Sequence, residues 1–275
     1  MLHSQGMERL SAQLLLLNVL GRAPTERARL LTHGDDLIES VRVQQLMALA
    51  ARYAAGEPLA YLTGRQAFFG LVLQVDARVL VPRPDTETMV AWALEVLRLE
   101  ASNDKPLHAL DLGTGSGAIA LAMKASLPQL DMHAVDLSAD ALAVAQANAQ
   151  RLHLPVTFSQ GAWFDALPDA DMRFDCIVSN PPYIAAQDPH LAALNHEPLQ
   201  ALASGTDGLD DIRQITAQAP HRLTANGWLL LEHGYDQAAA VRELLAQAGF
   251  HQVQSRRDLA GIERCSGGQI SRQHP

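Results

Sequence analysis

A glycine-rich segment is the first place in this chain where residue types and spacing suit chemistry. Residues 109–117 read Ala-Leu-Asp-Leu-Gly-Thr-Gly-Ser-Gly and pass from an apolar strand pattern into a helical one. Glycines at a strand-to-helix turn let the backbone bend tightly and approach a ligand closely. The segment predicts a nucleotide-like ligand, and Gly113, Gly115 and Ala118 also satisfy the dinucleotide fingerprint G-x-G-x-x-A.

Two carboxylates accompany this turn. Asp136 ends the next predicted strand, where a carboxylate can accept hydrogen bonds from the hydroxyls of a ribose. That position fits a dinucleotide and S-adenosylmethionine equally well. Asp111 favours S-adenosylmethionine, because an acidic residue just before the turn can pair with the amino group of the methionine moiety, a cation that NAD lacks.

A later predicted strand ends in the sequence Asn-Pro-Pro-Tyr. It delivers Asn180 to the same edge of a parallel sheet, beside the cofactor crevice. Pro181 and Pro182 stiffen the turn and have no N–H group, so the carbonyls of Asn180 and Pro181 are available to accept hydrogen bonds from a substrate. Tyr183 supplies a flat π-face against which a planar group can stack.

This arrangement suits methylation of a planar nitrogen. The nitrogen of an amide or exocyclic amine is a poor nucleophile because its lone pair is delocalised. If the side-chain oxygen of Asn180 and the carbonyl of Pro181 accept its two N–H bonds, they stabilise the developing positive charge and aim the lone pair at a methyl group. We therefore predict Asn180, Pro181 and Tyr183 as catalytic residues, with Pro182 completing the substrate site.

Other residues at predicted strand ends have two interpretations. Trp163 follows the third strand and is placed to cover an adenine ring, although a core tryptophan would show the same pattern. Glu232 and His233 end a later strand and look like an acid–base pair. We interpret them as structural or supporting residues.

The elements that must position these residues alternate between strands and helices. This rhythm predicts a parallel sheet covered on both faces. The predicted strands are 108–112, 132–137, 156–159, 175–179 and 228–232, and the predicted helices are 118–125, 139–151, 210–223 and 237–248. From residue 251 the pattern predicts a terminal strand pair with a polar tail.

The N-terminal part of the chain has a different pattern. Residues 7–55 show helical periodicity with no strand signal, whereas residues 68–81 alternate as in strands, at 71–75 and 79–81. A helix is predicted from about Asp85. We place the hinge between a small helical domain and the rest of the chain in the strand-like stretch.

Composition excludes several classes of protein. Hydrophobic residues at 48% and charged residues at 19% indicate a globular chain, and a net charge of −9 disfavours binding to a phosphate backbone. Cys176 and Cys265 belong to no zinc-binding pattern, which favours a reducing cytoplasm and no metal. No stretch reaches the ~18 apolar residues that would span a bilayer.

The motifs together resemble a known family. Residues 111–117, Asp136 and residues 180–183 resemble the Rossmann-like, S-adenosylmethionine-dependent amino methyltransferases. The run Arg-Pro-Asp-Thr-Glu at 83–87 looks like part of the signature of HemK-like glutamine methyltransferases, which modify peptide chain release factors. Further segments share this resemblance: 56–64, 68–70, 79–82, 197–202, 208–209 and 231–234.

The resemblance implies an α/β fold, a Rossmann-like seven-stranded class I methyltransferase sheet with a small N-terminal helical bundle. Residues 1–67 would form a domain that docks the release factor, 68–84 a β-hairpin linker, and 85–275 the methyltransferase domain. The implied reaction methylates N5 of the glutamine in the Gly-Gly-Gln motif of class 1 release factors. The implied cofactor residues are Asp111, Gly113, Thr114, Gly115, Ser116, Gly117, Asp136, Trp163 and Asn180.

The expected partner is a release factor. We expect no direct binding to nucleic acid or to a membrane, and we expect the enzyme to be a monomer in the cytoplasm. Three other activities remain alternatives: a ribosomal-protein glutamine methyltransferase, an adenine-N6 DNA methyltransferase, and a nicotinamide oxidoreductase. The oxidoreductase would leave residues 180–183 without a purpose. A non-catalytic binding module is a further alternative. The chain's own Gly267-Gly268-Gln269 is interpreted as a chance tripeptide in the polar tail.

Overall fold

A computed structural model describes residues 7–100 and 106–271 of the chain. These residues form two compact units. The smaller unit contains residues 7–65 together with 75–77, and the larger contains 66–74, 78–100 and 106–271. Each unit has a hydrophobic core of its own.

The smaller unit is helical, as its periodicity predicts. Leu15, Ala50 and Leu62 come from three different helices and are buried together in its core. The hydroxyls of Ser11 and Tyr53 are hydrogen-bonded at 3.1 Å beside them. The helices of this unit are α1 (Arg9–Val19), α2 (Arg29–Thr32), α3 (Ser40–Ala54) and α4 (Leu59–Thr63).

The larger unit contains a short hairpin and a seven-stranded sheet. The hairpin strands are β1 (Arg65–Phe68) and β2 (Leu71–Gln74), with Arg65 itself at the end of the smaller unit. The sheet strands are β3 (His108–Leu112), β4 (Asp131–Asp136), β5 (Thr157–Gln160), β6 (Phe174–Ser179), β7 (Leu223–Glu232), β8 (Phe250–Arg257) and β9 (Glu263–Ile270). The helices are α5 (Glu87–Glu100), α6 (Ala118–Ser126), α7 (Ala139–Leu152), α8 (Asp210–Gln218) and α9 (Ala238–Gln247).

The strand order of the large sheet is β5-β4-β3-β6-β7-β9-β8. The strands from β5 to β7 are parallel to their neighbours, whereas β9 is antiparallel to both β7 and β8. This topology confirms the seven-stranded class I methyltransferase sheet and the terminal strand pair. The chain reverses its direction of winding at β3, because β4 lies on one side of β3 and β6 on the other. Such a reversal opens a crevice at the carboxyl ends of the strands.

Alternate residues of the central strands pack against different helices. Leu229 and Leu231 belong to the core formed with α8 and α9, whereas Leu230 lies on the other face. There the sheet meets α5, whose Trp92 packs edge-to-face on Trp228 with ring centroids 5.9 Å apart. The sheet is therefore covered on both faces, which explains why its strands read as nearly continuous apolar runs.

One predicted helix and one predicted strand differ most from the structure. The predicted helix 210–223 ends at Gln218 and continues only as a short 3-10 helix, Ala219–His221. Pro220 has no N–H group to extend the helical hydrogen bonds, and Leu223 already begins β7. The predicted strand at 79–81 is absent, because the N–H of Val81 donates to the carboxylate of Glu197 at 3.1 Å rather than to a neighbouring strand.

The tripeptide Gly267-Gly268-Gln269 lies within a strand of the large sheet, so its placement in a polar tail was wrong. It is part of β9 and is buried between β7 and β8. A Cβ atom on Gly267 would lie 2.7 Å from the carbonyl oxygen of Leu229 and 3.0 Å from the ring of Trp92. The close packing around β9 thus explains why a glycine stands at Gly267.

The two cysteines are free and buried. Burial raises the pKa of both thiols, so Cys176 and Cys265 stay protonated at neutral pH. Across residues 7–100 and 106–271, no group of three or more His, Cys, Asp or Glu side chains is placed to hold a metal ion. In the same residues, no helix is both long and apolar enough to cross a membrane.

Candidate active site

A cleft opens where the carboxyl ends of β3, β4, β5 and β6 meet. Its volume is about 850 Å³, including the part open to solvent. The winding reversal between β3 and β6 places the cleft where α/β sheets bind their ligands. Six residues predicted for the site line it: Gly113, Gly115, Asp136, Trp163, Asn180 and Pro182.

The turn after β3 has the conformation that its glycines predict. Gly113, Gly115 and Gly117 all have positive φ, at 73°, 55° and 82°. A Cβ atom on Gly113 would lie 3.3 Å from the ring of Trp163, tighter than most contacts of real side chains. Gly113 is therefore needed both for the turn and for the close approach of the indole.

Asp136 lies half-buried in the wall of the cleft. One carboxylate oxygen accepts from the N–H of Gly115 at 2.8 Å and the other from the N–H of Ser138 at 2.9 Å. Burial raises the pKa of Asp136 despite these hydrogen bonds. Each oxygen keeps a second lone pair, so the carboxylate can still accept from two ligand hydroxyls.

Asp111 is fully buried and does not line the cleft. One of its oxygens accepts from the hydroxyl of Thr114 at 2.7 Å and from the N–H of Ala120 at 3.2 Å, which ties the turn to the start of α6. Its other oxygen has no hydrogen-bond partner in the described part of the chain. Burial raises the pKa of Asp111 to about 7. Thr114, Ser116 and Gly117 also lie outside the cleft lining and shape the turn.

Trp163 follows β5 and begins a short 3-10 helix, Trp163–Ala166. Its φ of 45° is uncommon for a bulky residue. Such local strain persists where the surrounding structure holds it, and it is concentrated at functional sites. The half-buried indole faces the cleft as the sequence predicts, and it also packs against the main core.

The Asn-Pro-Pro-Tyr segment leaves β6 at the point where the winding reverses. The hydroxyl of Ser179 donates to the carbonyl of Leu112 at 2.7 Å and joins the ends of β6 and β3. At the other end, the side chain of Gln237 donates to the carbonyl of Tyr183 at 3.0 Å. Burial raises the pKa of the Tyr183 phenol, with the nearby Glu232 adding to the shift, so the phenol is neutral.

Polar side chains from distant segments lie behind Asn180. The side-chain nitrogen of Asn180 donates to the hydroxyl of Thr86 at 3.4 Å. The carboxyl group of Glu232 interacts with the side chains of both Thr86 and Asn180. The sequence places Glu232 at a strand end but contains no local signal that joins it to residues so far away.

An ion pair between a partly exposed arginine and a buried glutamate lies beside the cleft. The guanidinium of Arg83 pairs with the carboxylate of Glu197, which also accepts from the N–H of Val81. Leu80, next to Val81, and Pro198, next to Glu197, both line the cleft. Glu197 therefore connects two of the walls, a role that only the family resemblance of its segment suggested.

Comparisons with known proteins agree with this geometry. Residues 93–254 match the protein family described as "Methyltransferase small domain", and residues 1–64 match the family described as "PrmC N-terminal domain". A release factor glutamine methyltransferase of Bordetella pertussis is 50% identical over 272 residues, which cover 98% of this chain and 98% of that protein. The enzyme so named in Burkholderia pseudomallei is 46% identical, covering 98% and 95%.

The chain belongs to the release factor glutamine methyltransferase family. This confirms the family, the enzyme class and the S-adenosylmethionine cofactor expected from the motifs. A nicotinamide oxidoreductase and a non-catalytic module are thereby excluded. The ribosomal-protein and DNA alternatives are not favoured, because the relatives that match nearly the whole length carry the release-factor name.

Solved structures share the fold of this family member at low sequence identity. A methyltransferase from Pyrococcus furiosus superimposes with a TM-score of 0.55 at 18% identity, covering 85% of this chain and all of that one. The N-terminal domain of human METTL16 in complex with SAH gives a TM-score of 0.55 at 17% identity, covering 74% and 77%. These likenesses support the class I methyltransferase fold.

Proposed function

We propose that this protein transfers a methyl group from S-adenosylmethionine to N5 of the glutamine in the Gly-Gly-Gln motif of class 1 peptide chain release factors. One observation carries the proposal beyond family membership. The side chain of Asn180 lies in the cleft wall with its nitrogen hydrogen-bonded to Thr86 on the far side, which leaves its oxygen for a substrate amide.

The cleft has groups that fit S-adenosylmethionine. The carboxylate of Asp136 can accept from two ribose hydroxyls, and the indole of Trp163 offers a face for the adenine. The turn at residues 113–117 lets a ligand approach the backbone closely. Asp111 is kept as the proposed acceptor for the methionine ammonium group because one of its oxygens has no hydrogen-bond partner in the described part of the chain, but it lies buried behind the turn and outside the cleft lining. When bound, the cofactor supplies an electrophilic methyl group.

The Asn-Pro-Pro-Tyr segment orients the substrate. The oxygens of Asn180 and Pro181 accept the two N–H bonds of the glutamine amide, which aims the nitrogen lone pair at the methyl group and stabilises the charge that develops on nitrogen. Tyr183 stacks against the planar amide as a neutral ring. A strong base is unnecessary, because the methylated nitrogen loses its proton readily.

Mass spectrometry of a treated release factor tests the function. With S-adenosylmethionine and the enzyme, we expect one added methyl group on the Gly-Gly-Gln glutamine. Changing that glutamine to glutamate removes both N–H donors and introduces a repelled charge, so methylation should stop. A methyl group found instead on DNA adenine or on a ribosomal protein would contradict the substrate assignment and leave the methyl-transfer chemistry in place.

The helical unit is the proposed docking domain for the release factor. Its surface exposes Leu31, Leu37 and Val41, which are 72%, 101% and 55% accessible. Exposed apolar side chains close together in sequence are suited to a protein partner. The proposal retains a protein partner without direct nucleic-acid or membrane binding, and a monomeric enzyme acting in the cytoplasm, where release factors work.

Replacing Leu37 by aspartate tests this docking role. We expect a higher KM for intact release factor and an unchanged kcat, because the reacting groups lie in the other unit. Leu99→Asp changes an exposed leucine, 79% accessible, outside the helical unit and serves as the control. Equal KM values for the two variants would remove the support for docking at this surface.

A further inference from the structure

Glu232 is a buried acid that the proposed mechanism does not use. It ends β7, and its side chain is buried beside the substrate half of the cleft. One oxygen has no hydrogen-bond partner among residues 7–100 and 106–271, while the carboxyl group interacts with Thr86 and Asn180. A buried carboxylate costs free energy unless it has partners, so its position behind Asn180 calls for a function.

The catalytic use of Asn180 depends on which way its amide points. The two ends of a carboxamide have nearly the same shape, but the oxygen only accepts hydrogen bonds and the nitrogen only donates them. Methyl transfer needs the oxygen toward the substrate. If the amide turned over, its nitrogen would face the N–H bonds of the glutamine and the substrate would be repelled.

The groups behind Asn180 discriminate between these two orientations. A carboxylate only accepts hydrogen bonds, so Glu232 attracts the amide nitrogen of Asn180 and repels its oxygen. The hydroxyl of Thr86 accepts from that nitrogen at 3.4 Å, which leaves its own proton for the carboxylate. Each donor then faces an acceptor, and the amide oxygen is directed into the cleft.

We propose that Glu232 is a positioning residue for methyl transfer: together with Thr86 it holds the side-chain nitrogen of Asn180 and keeps the amide oxygen toward the substrate. This inference rests on the proposed function. Glu232 touches neither the substrate nor the cofactor in this scheme, and it acts only through the orientation of Asn180.

The charge of Glu232 is set by its surroundings. Burial raises the pKa of Glu232 to about 7, and Asp85 adds to the shift, while hydrogen bonds from Thr86 and Asn180 and the positive charge of Arg264 oppose it. Tyr183 and Cys265 also face the carboxyl group, and the pKa of each is raised, so both are neutral. A protonated Glu232 can donate to the oxygen of Asn180 and favour the wrong orientation. In the wild type, kcat should therefore rise with pH through about 7.

Two substitutions of Glu232 test the role. Glu232→Leu removes the acceptor and should lower kcat roughly 10- to 100-fold through misplacement of the amide. The affinity for S-adenosylmethionine, measured by calorimetry, should be unchanged. Glu232→Gln keeps an oxygen acceptor, so it should recover part of kcat and lose the rise near pH 7. Wild-type kcat in Glu232→Leu, or an unchanged pH profile in Glu232→Gln, would overturn the proposal.

A double-mutant cycle separates positioning from direct action. In the Asn180→Ala background there is no amide to orient, so adding Glu232→Gln should cost nothing further in single-turnover rate. Additive losses would mean that Glu232 acts on the substrate itself and would overturn the proposal. Asp175→Asn is the matched control. Asp175 is another buried acid, but it lies near the start of β6, at the end away from Asn180. This variant should change thermal stability without changing kcat.

Measuring methylation of the release factor by the wild type in the same experiment separates a failure of this inference from a failure of the proposed function. A wild type that methylates the release factor, with a Glu232→Leu variant that turns over equally fast, removes the positioning role alone. A wild type that leaves the release factor unmodified contradicts the proposed function, and the inference falls with it. If circular dichroism shows that Glu232→Leu does not fold, the pH profile of kcat in Glu232→Gln tests the positioning role instead.

Discussion

The two sides of the cleft are built in different ways. On the β3–β4 side, the glycine turn and Asp136 are held by backbone groups close in sequence, such as the N–H groups of Gly115 and Ser138. On the β6–β7 side, Asn180 is held by side chains from segments far away in the chain, Thr86 and Glu232. Under the proposed function, we expect damage to the first side to weaken cofactor binding and damage to the second to slow turnover.

The largest effect is expected from Asn180→Ala, on the side held by distant segments. Losing one hydrogen bond that stabilises the transition state typically lowers kcat by ~10²–10³. The affinity for S-adenosylmethionine should fall much less, because Asp136 and Trp163 remain. Rate measurements at saturating cofactor, with calorimetry for binding, check both numbers. Wild-type turnover in this variant would contradict the mechanism and erase the difference between the two sides.

The same contrast explains what the sequence can predict. The structure places the glycine turn, Asp136 and the start of the Asn-Pro-Pro-Tyr segment at one edge of the sheet, as predicted, because each lies at the end of its own strand and parallel strands end at one edge. Asp111 was assigned to the ligand, but its local sequence does not show that burial turns its side chain toward Thr114 and Ala120.

For Glu232 the sequence predicts only a structural or supporting role and does not show what it supports. Its role depends on contacts with Thr86 and Asn180, which only the tertiary fold brings together. The start of β7 was missed because Thr224, Asn226 and Gly227 interrupt the apolar pattern that marks a strand. When the partners of a side chain lie nearby in sequence, the sequence pattern is enough to predict its role. When the partners come from other helices and strands, the pattern is not enough.

The next largest effect is expected from Asp136→Ala, on the side held by the backbone. Two ribose hydroxyls lose their acceptor, which should weaken S-adenosylmethionine binding by about 10- to 100-fold. At saturating cofactor, kcat should stay close to that of the wild type. Asp140→Ala removes an exposed carboxylate from the neighbouring helix and controls for the change in charge. Calorimetry that shows equal binding by both variants would mean that Asp136 does not contribute to cofactor binding.

A smaller effect is expected from Gly208→Ala, which disturbs the substrate side through the backbone. A Cβ atom on Gly208 would overlap the carbonyl oxygen of Tyr183 and lie 2.8 Å from the side-chain nitrogen of Gln237. Displacing Tyr183 by a fraction of an ångström should lower kcat/KM on the order of tenfold. Gly249→Ala is the matched control, because Gly249 also has positive φ, 87° against 78°, but has open space around it. Equal kcat/KM for the two variants would show that backbone strain, and not the position of Tyr183, is responsible.

The smallest effect on methyl transfer is expected from Gly267→Ala, in the strand that contains the chain's own Gly-Gly-Gln. The added methyl group would overpack against Leu229 and Trp92, which typically costs ~1–3 kcal/mol of stability. In a chain of this length, the thermal midpoint should fall by several degrees at roughly 2–4 °C per kcal/mol, with kcat unchanged at low temperature. The side chain of Gln269 donates to the carbonyl of Asn226 at 2.9 Å inside the sheet, so the folded enzyme should not methylate itself. An unaltered midpoint would contradict the packing role of Gly267, and a methyl group on Gln269 by mass spectrometry would show that the tripeptide is a substrate.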